Sequence, residues 1–193
     1  MSEQKELVQA GFPTDRKPRF ATVWLGGCSG CHMSFLDLDE RLFDLARLVD
    51  VVYSPIADVK EFPENVDITL VEGAVANEDH FSMIQQVRAR TRILVSLGDC
   101  AVTGNVTAIR NAIPLQAVLA TAYVERATRT DGIPNEPGIV PSLLPRVVPL
   151  HRIVNVDVFL PGCPPSANAM WDAILRLLGG EKLPLTGPVP KFG

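Results

Sequence analysis

Along this chain, stretches with one apolar and polar period give way to stretches with another, and the succession predicts strands alternating with helices. Residues 20–25, Phe-Ala-Thr-Val-Trp-Leu, form a short run of strand formers closed by Gly26 and Gly27. From 34 to 49, apolar residues recur at Phe35, Leu38, Leu42, Leu45 and Val49, in steps of three and four. That is the helix period, and it leaves Asp37, Asp39, Glu40, Arg41 and Arg47 for the wet face. Residues 50–53 read as a second strand and 67–71 as a buried one, followed by Glu72 and Gly73. A helix is predicted over 78–90, with Phe81, Ile84 and Val87 on one side. A strand over 92–97 ends at Gly98 and Asp99, and 114–126 suits a helix with proline in its first turn. The last strand is predicted over 153–160. Ser166 then offers an N-cap for a helix through Trp171, Ile174, Leu175 and Leu178, stopped by Gly179 and Gly180.

This succession predicts an α/β fold: a mostly parallel sheet with helices on both faces. The stretch 128–152 breaks the rhythm with Pro134, Pro137, Pro141, Pro145 and Pro149. It is expected to lack regular structure and to lie on a partner. The domain is assigned to 20–180, between an N-terminal extension (1–19) and a C-terminal tail (181–193).

Composition narrows the function. The 193 residues carry a net charge of −4, which argues against nucleic-acid binding because neutralising phosphates needs a basic face. Residues 1–19 hold no apolar core like that of a secretory signal, and no run of about 20 apolar residues could span a bilayer. The expectation is a soluble, cytoplasmic protein. In a reducing cytosol, its four cysteines are better read as metal ligands or redox groups than as disulfides.

The positions of those cysteines carry the chemistry. Cys28 and Cys31 form a Cys-x-x-Cys pair just past the first strand, Cys100 follows the strand ending at 97, and Cys163 follows the strand ending at 160. Each lies at the carboxyl end of a predicted parallel strand. In an open α/β sheet those ends share the edge where ligands bind. Neighbouring glycines let successive backbone N–H groups face inward, forming the anion-binding concavities found at many iron–sulfur sites. Pro164 and Pro165 stiffen the last loop. Three other readings compete. A zinc ion also takes four thiolates, but usually from two short Cys-x-x-Cys knuckles. A thioredoxin-like pair would use Cys28 and Cys31 and leave Cys100 and Cys163 idle. Four buried cysteines could be small hydrophobes. An iron–sulfur cluster accounts for most of the pattern.

Trp24-Leu-Gly-Gly-Cys28-Ser-Gly-Cys31-His-Met-Ser34, Val71-Glu-Gly-Ala74, Gly98-Asp-Cys100-Ala101 and Pro161-Gly-Cys163-Pro-Pro165 follow one another along the chain. Together they resemble the small subunit of NiFe hydrogenases, a family related to the cluster-bearing subunit of NADH:quinone oxidoreductase. The resemblance runs from about residue 20 to 178. It implies a flavodoxin-like fold and one 4Fe–4S cluster, proximal to the nickel–iron site, on Cys28, Cys31, Cys100 and Cys163. It further implies a large subunit that holds the nickel–iron site, and no catalytic residue on this chain. The family's twin-arginine signal and two-cluster C-terminal domain are not seen. The quinone-linked relatives have two adjacent cysteines where this chain has Cys28-Ser-Gly-Cys31. These departures make it most similar to the cytoplasmic, bidirectional NAD-reducing group, whose partners include flavin- and Fe–S-containing diaphorase subunits. The alternatives within the family are cluster subunits of membrane-bound energy-converting hydrogenases, of deazaflavin-reducing hydrogenases and of NADH:quinone oxidoreductase, and outside it a zinc-stabilised binding module.

Glu72, at the same strand edge, is the candidate for proton transfer or for gating the cluster's redox state, against the plainer reading of a carboxylate that caps backbone N–H groups or pairs with an arginine across an interface. His32 is expected to make an orienting hydrogen bond. Met33, Phe35 and Trp24 are read as core, or as an apolar surface meeting the large subunit. Arg126, Arg129, Arg146 and Arg152 are read mainly as solvated, with one or two bridging to a partner.

Overall fold

The computed structural model describes residues 12–13, 15–55, 57–129 and 132–180; the predicted tail (181–193) and most of the predicted extension lie outside them. Five strands form the main sheet: β1 (Arg19–Trp24), β2 (Asp50–Tyr53), β3 (Val66–Glu72), β5 (Thr91–Leu97) and β7 (Val158–Leu160). Their spatial order is β2-β1-β3-β5-β7 and every pairing is parallel. Counted within the sheet alone this is the 2-1-3-4-5 order of flavodoxin-like folds. β3 is buried along its whole length, as a central parallel strand covered on both faces must be.

Helices cover both faces. On one, Phe20, Ile68, Leu70, Val95 and Leu97 pack with Leu45 and Val49 and with Met170, Ile174 and Leu177. These come from α2 (Arg41–Leu48) with the residue that ends it, and from α7 (Ala167–Leu178). On the other, Ala21, Val23, Val71 and Leu94 pack with Ile84 and Val87 of α3 (Glu78–Arg90). α3 begins where Asn77 accepts from the His80 N–H at 2.8 Å; Glu78 and Asp79 in its first turn and Arg88 and Arg90 in its last complement the helix dipole. Phe81, expected beside Ile84 and Val87, stays partly exposed. Ser166 caps α7 by accepting from the Ala169 N–H at 3.3 Å.

Four elements differ from the pattern-based expectation. The helix predicted over 34–49 is two helices, α1 (Gly30–Leu36) and α2, joined by a turn in which Asp39 has φ +50° and Leu38 is buried. Aspartate tolerates that left-handed backbone, so the apolar rhythm continues across a break it does not reveal. The helix predicted over 114–126 is a short α-helix, α6 (Leu115–Ala120), running into a π-turn (Thr121–Glu125). The final strand is only three residues long. Ahead of it the Asp157 N–H donates to the Leu94 carbonyl at 3.0 Å, while its carboxylate accepts from the Leu94 N–H at 2.8 Å and from Arg88 at 2.5 Å, so a side chain completes the pairing that a longer strand would make with backbone. The stretch 128–152 is not wholly irregular. β6 (Leu143–Val148) pairs antiparallel with β4 (Val75–Asn77), and Pro145 is tolerated because both strands of a two-stranded ribbon are edges. Asn111 reinforces it, donating to the Val147 carbonyl and accepting from the Val147 N–H, both at 2.8 Å.

His80 ties α3 to this ribbon: its Nδ1 accepts from the Ala76 N–H at 3.4 Å, and burial lowers the ring's pKa below the ordinary 6.5, with Asp79 partly opposing. A depressed histidine pKa means the unfolded chain binds the proton more readily. Its stabilising effect is therefore complete above pH 6.5 and is lost as pH falls through the folded value. Urea midpoints measured at pH 7.5 and pH 5 are expected to differ less in His80→Gln than in the parent. An equal difference would remove His80 from the account.

Candidate metal centre

The strand register lines up the site. Trp24 pairs with Glu72, Glu72 with Leu97, and Leu97 with Leu160, so four strands end in one row. Cys28 and Cys31 lie past Trp24, Cys100 past Leu97 and Cys163 past Leu160, all on the loops and first helical turns beyond that row. Cys31 sits in the first turn of α1, and Cys100 in the first turn of α4 (Gly98–Thr103). Cys31 and Cys100 are buried, whereas Cys28 and Cys163 are exposed; all four thiols are free. Among the described residues, no group of three or more His, Cys, Asp or Glu side chains is arranged to hold a single metal ion.

Backbone and side-chain hydrogen bonds lock these loops together. The Asp99 N–H donates to the Gly162 carbonyl at 2.9 Å, while the Asp99 carboxylate accepts from the Gly162 N–H at 2.8 Å. That reciprocal pair clamps the Cys100 turn to the Cys163 turn. The Ser34 hydroxyl, on α1, donates to the Pro165 carbonyl at 2.7 Å, tying the Cys31 helix to the same loop. Gly98 has φ +79°, and a Cβ there would stand 2.2 Å from Cys31 Sγ. The glycine is required twice, by its backbone and by the thiol it faces. Burial pushes the Cys31 thiol up to about 12, aided by the charges of Glu72, Cys100, Cys28 and Cys163. A ligand that takes this sulfur as thiolate must therefore displace a firmly held proton.

Glu72 ends β3 and is 2% exposed. Its carboxylate accepts from the His32 N–H at 2.9 Å and the Cys31 N–H at 3.4 Å, and it contacts His32 Nδ1 closely. Glu72 thus caps the first turn of α1, and His32 makes an orienting contact with it. The ring's other nitrogen, Nε2, is buried without a partner among the described residues. Gly73 makes this placement feasible: at φ +92° it lets the chain after β3 cross the chain after β1 within 2.9 Å of a would-be Cβ. Phe35 is partly buried and stacks on Phe20, whereas Trp24 and Met33 are exposed at the cysteine edge. Arg126, Arg129, Arg146 and Arg152 all lie exposed.

Sequence reasoning had singled out the four cysteines and Glu72, but not Asp99, Ser34 or Asn105, whose side chains bind the cysteine loops to one another. Asp99 lies inside the Gly98-Asp-Cys100 motif, so its neighbourhood was legible. The partners of Ser34 and Asn105 lie 131 and 58 residues away, and only the fold brings them in.

The family of the NADH ubiquinone oxidoreductase 20 kDa subunit matches residues 28–177, from the first cysteine into the last turn of α7. The chain belongs to that family. The resemblance to NiFe hydrogenase small subunits is borne out as well. The chain is 39% identical over 180 residues to the delta subunit of the NAD-reducing hydrogenase HoxS of Cupriavidus necator, covering 91% of this chain and 86% of that one. It is 36% identical over 177 residues to one of the subunits of the F420-non-reducing hydrogenase of Methanothermobacter thermautotrophicus, covering 88% of this chain but only 56% of that relative's length. In structure it is similar to a chain of an NAD+-reducing NiFe hydrogenase solved in the H2-reduced state, with TM-score 0.84 and 40% identity, over 92% of this chain and all of that one. A NiFeSe hydrogenase chain of Dm. baculatum, at 18% identity and TM-score 0.54, shares the fold. This protein is a small-type hydrogenase subunit that forms part of an enzyme complex, and no helix among its described residues is long and apolar enough to cross a membrane.

Proposed function

We propose that this chain is the electron-transfer small subunit of a cytoplasmic NiFe hydrogenase. In this reading it holds one 4Fe–4S cluster on Cys28, Cys31, Cys100 and Cys163. The cluster lies between the nickel–iron site of a large subunit and a flavin- and Fe–S-containing diaphorase module that exchanges electrons with NAD(H). The observation that carries the proposal is the convergence of four free thiols on one sheet edge, with Gly98 leaving the Cys31 sulfur its space. The donor set fits: four thiolates are the usual ligands of such a cluster, and the clamped loops keep them there. When bound, the cluster supplies a one-electron carrier. The NAD-linked subtype is favoured by likeness: the chain is 39% identical over 180 residues to a subunit of an NAD-reducing hydrogenase and matches a chain of an NAD+-reducing NiFe hydrogenase with TM-score 0.84.

The chain's own residues have three tasks here. The thiolates anchor the cluster, the Asp99 and Ser34 bonds keep the three loops in register, and exposed Trp24 and Met33 offer apolar surface to the large subunit. Glu72 is the proposed proton-transfer or redox-gating group, because it is the buried carboxylate that touches both Cys31 and His32. Glu72→Gln keeps an acceptor for those N–H groups but removes the charge. H2 turnover is expected to fall on the order of 100-fold, the lower end of what a positioned proton-transfer group contributes. Unchanged turnover together with an unchanged cluster potential would leave Glu72 a helix cap only.

The deciding experiment is anaerobic purification through a tag on this chain, followed by metal and sulfide analysis and EPR of the reduced sample. About four irons and four sulfides per chain, with a nickel-bearing partner in the same peak, is the expected result. Flavin in that peak would support the diaphorase link. Zinc without sulfide, on a chain that purifies alone, would overturn the proposal in favour of a structural zinc module.

A further inference from the structure

We propose that Asn105 tunes the reduction potential of the centre through its hydrogen bond to Cys163, acting as a positioning residue that touches a ligand sulfur rather than the metal. This inference rests on the cluster reading above. The Asn105 side-chain amide donates to Cys163 Sγ at 3.4 Å, an ordinary length for a sulfur acceptor. Both ends of the contact are fixed. Cys163 follows Gly162, which is held from both sides by Asp99. Asn105 opens α5 (Asn105–Ala108), whose Thr107 hydroxyl donates to the Gly26 carbonyl at 2.7 Å, on the turn leading to Cys28. The short helix is therefore pinned to the loop of one cysteine while its first side chain reaches the sulfur of another.

The backbone at Asn105 is compatible with this side chain. Its φ is +28°, on the left-handed side that asparagine tolerates better than most residues, and it follows Gly104 at φ +92°. The position therefore admits a side chain that reaches Cys163 from a turn where most others would be strained. The side chain it keeps is a neutral donor. Reduction adds negative charge that spreads onto the ligand sulfurs. An N–H dipole aimed at such a sulfur stabilises the reduced form more than the oxidised form, and so raises the potential. Cys163 is exposed, and a fixed amide donor gives it a polar environment that does not depend on which partner surface later covers it.

The test is an EPR-monitored redox titration of the anaerobically purified complex, comparing the parent with Asn105→Gly and Asn105→Asp, alongside iron and sulfide analysis. Asn105→Gly removes the donor while easing the backbone. Asn105→Asp keeps the shape, loses the donor and adds a negative charge. Both are expected to retain full iron and sulfide and to shift the midpoint to more negative values, Asp further than Gly. Resonance Raman should show one Fe–S(Cys) stretch moving to higher frequency in the Gly variant, as a sulfur relieved of its hydrogen bond binds iron more strongly. Full iron with an unmoved midpoint in Asn105→Gly would overturn the inference while leaving the cluster reading intact. Loss of iron in both variants would overturn it in favour of a purely structural role. A parent complex lacking iron and sulfide would overturn the cluster reading itself, which the metal analysis reports before any variant is compared.

Discussion

Gly98→Ala is expected to leave the chain unable to hold its cluster and less stable by about 2–5 kcal/mol, adding the left-handed backbone penalty to the cost of overpacking. At φ +79° the new Cβ would stand 2.2 Å from Cys31 Sγ, far inside contact distance, with the Gly162 carbonyl 3.4 Å away. Neither neighbour can yield freely. Cys31 is anchored by the first turn of α1, whose N–H groups are capped by Glu72, and Gly162 is clamped by Asp99. The sulfur must therefore move out of the position from which it would bind iron. Gly138→Ala is the control, because Gly138 has φ +78° but nothing within 4 Å of its Cβ position. It should incur the backbone penalty and keep full iron. Iron content and Tm, measured on both variants, separate backbone strain from displacement of the ligand. A Gly98→Ala protein with undiminished iron would mean that Cys31 does not act from where the fold holds it.

The central architecture was legible because its signals are local. β3 carries a short run of strand formers, Ile-Thr-Leu-Val over 68–71, and is a fully buried strand; α3 carries a cap, acidic first turn and basic last turn, and its predicted limits are its observed ones. The cysteine edge was legible for a topological reason: once four strands are parallel, loops at their carboxyl ends must meet, whatever their distance in sequence. What escaped was everything decided by contacts between distant segments. The break at Asp39 leaves the apolar period intact, so periodicity continues across it. β6 carries Pro145, which counts against a strand until the ribbon is seen to consist only of edges. The final strand is shorter than its pattern suggests because residues 150–154 close a tight turn and Asp157 meets Leu94 partly through its carboxylate. In the site, Cys28, Cys31, Cys100 and Cys163 could be picked out by residue type alone, whereas Asp99, Ser34 and Asn105 are ordinary polar residues until their partners are known. A sequence displays the groups that perform chemistry more readily than those that hold them still.

Single replacement of each cysteine by alanine is expected to bring bound iron close to background in all four variants, and Cys163→Ala decides among the rival readings. If the thiols were small hydrophobes, trimming the buried Cys31 or Cys100 would cost on the order of 1 kcal/mol, while exposed Cys28 and Cys163 would be silent. If Cys28 and Cys31 were a redox pair, those two would matter and Cys100 and Cys163 would not. Only a shared four-thiolate site makes Cys163 indispensable, since it is exposed, stands outside the Cys-x-x-Cys pair and lies more than sixty residues from the nearest other cysteine. Its loss should leave the fold in place. The Asp99–Gly162 and Ser34–Pro165 bonds that fix its loop are made by backbone and by other side chains, so far-UV circular dichroism of Cys163→Ala should match the parent. A folded variant stripped of iron would tie the missing sulfur to metal binding rather than packing. A Cys163→Ala protein that keeps about four irons would exclude Cys163 as a required ligand and return the site to its other three thiols.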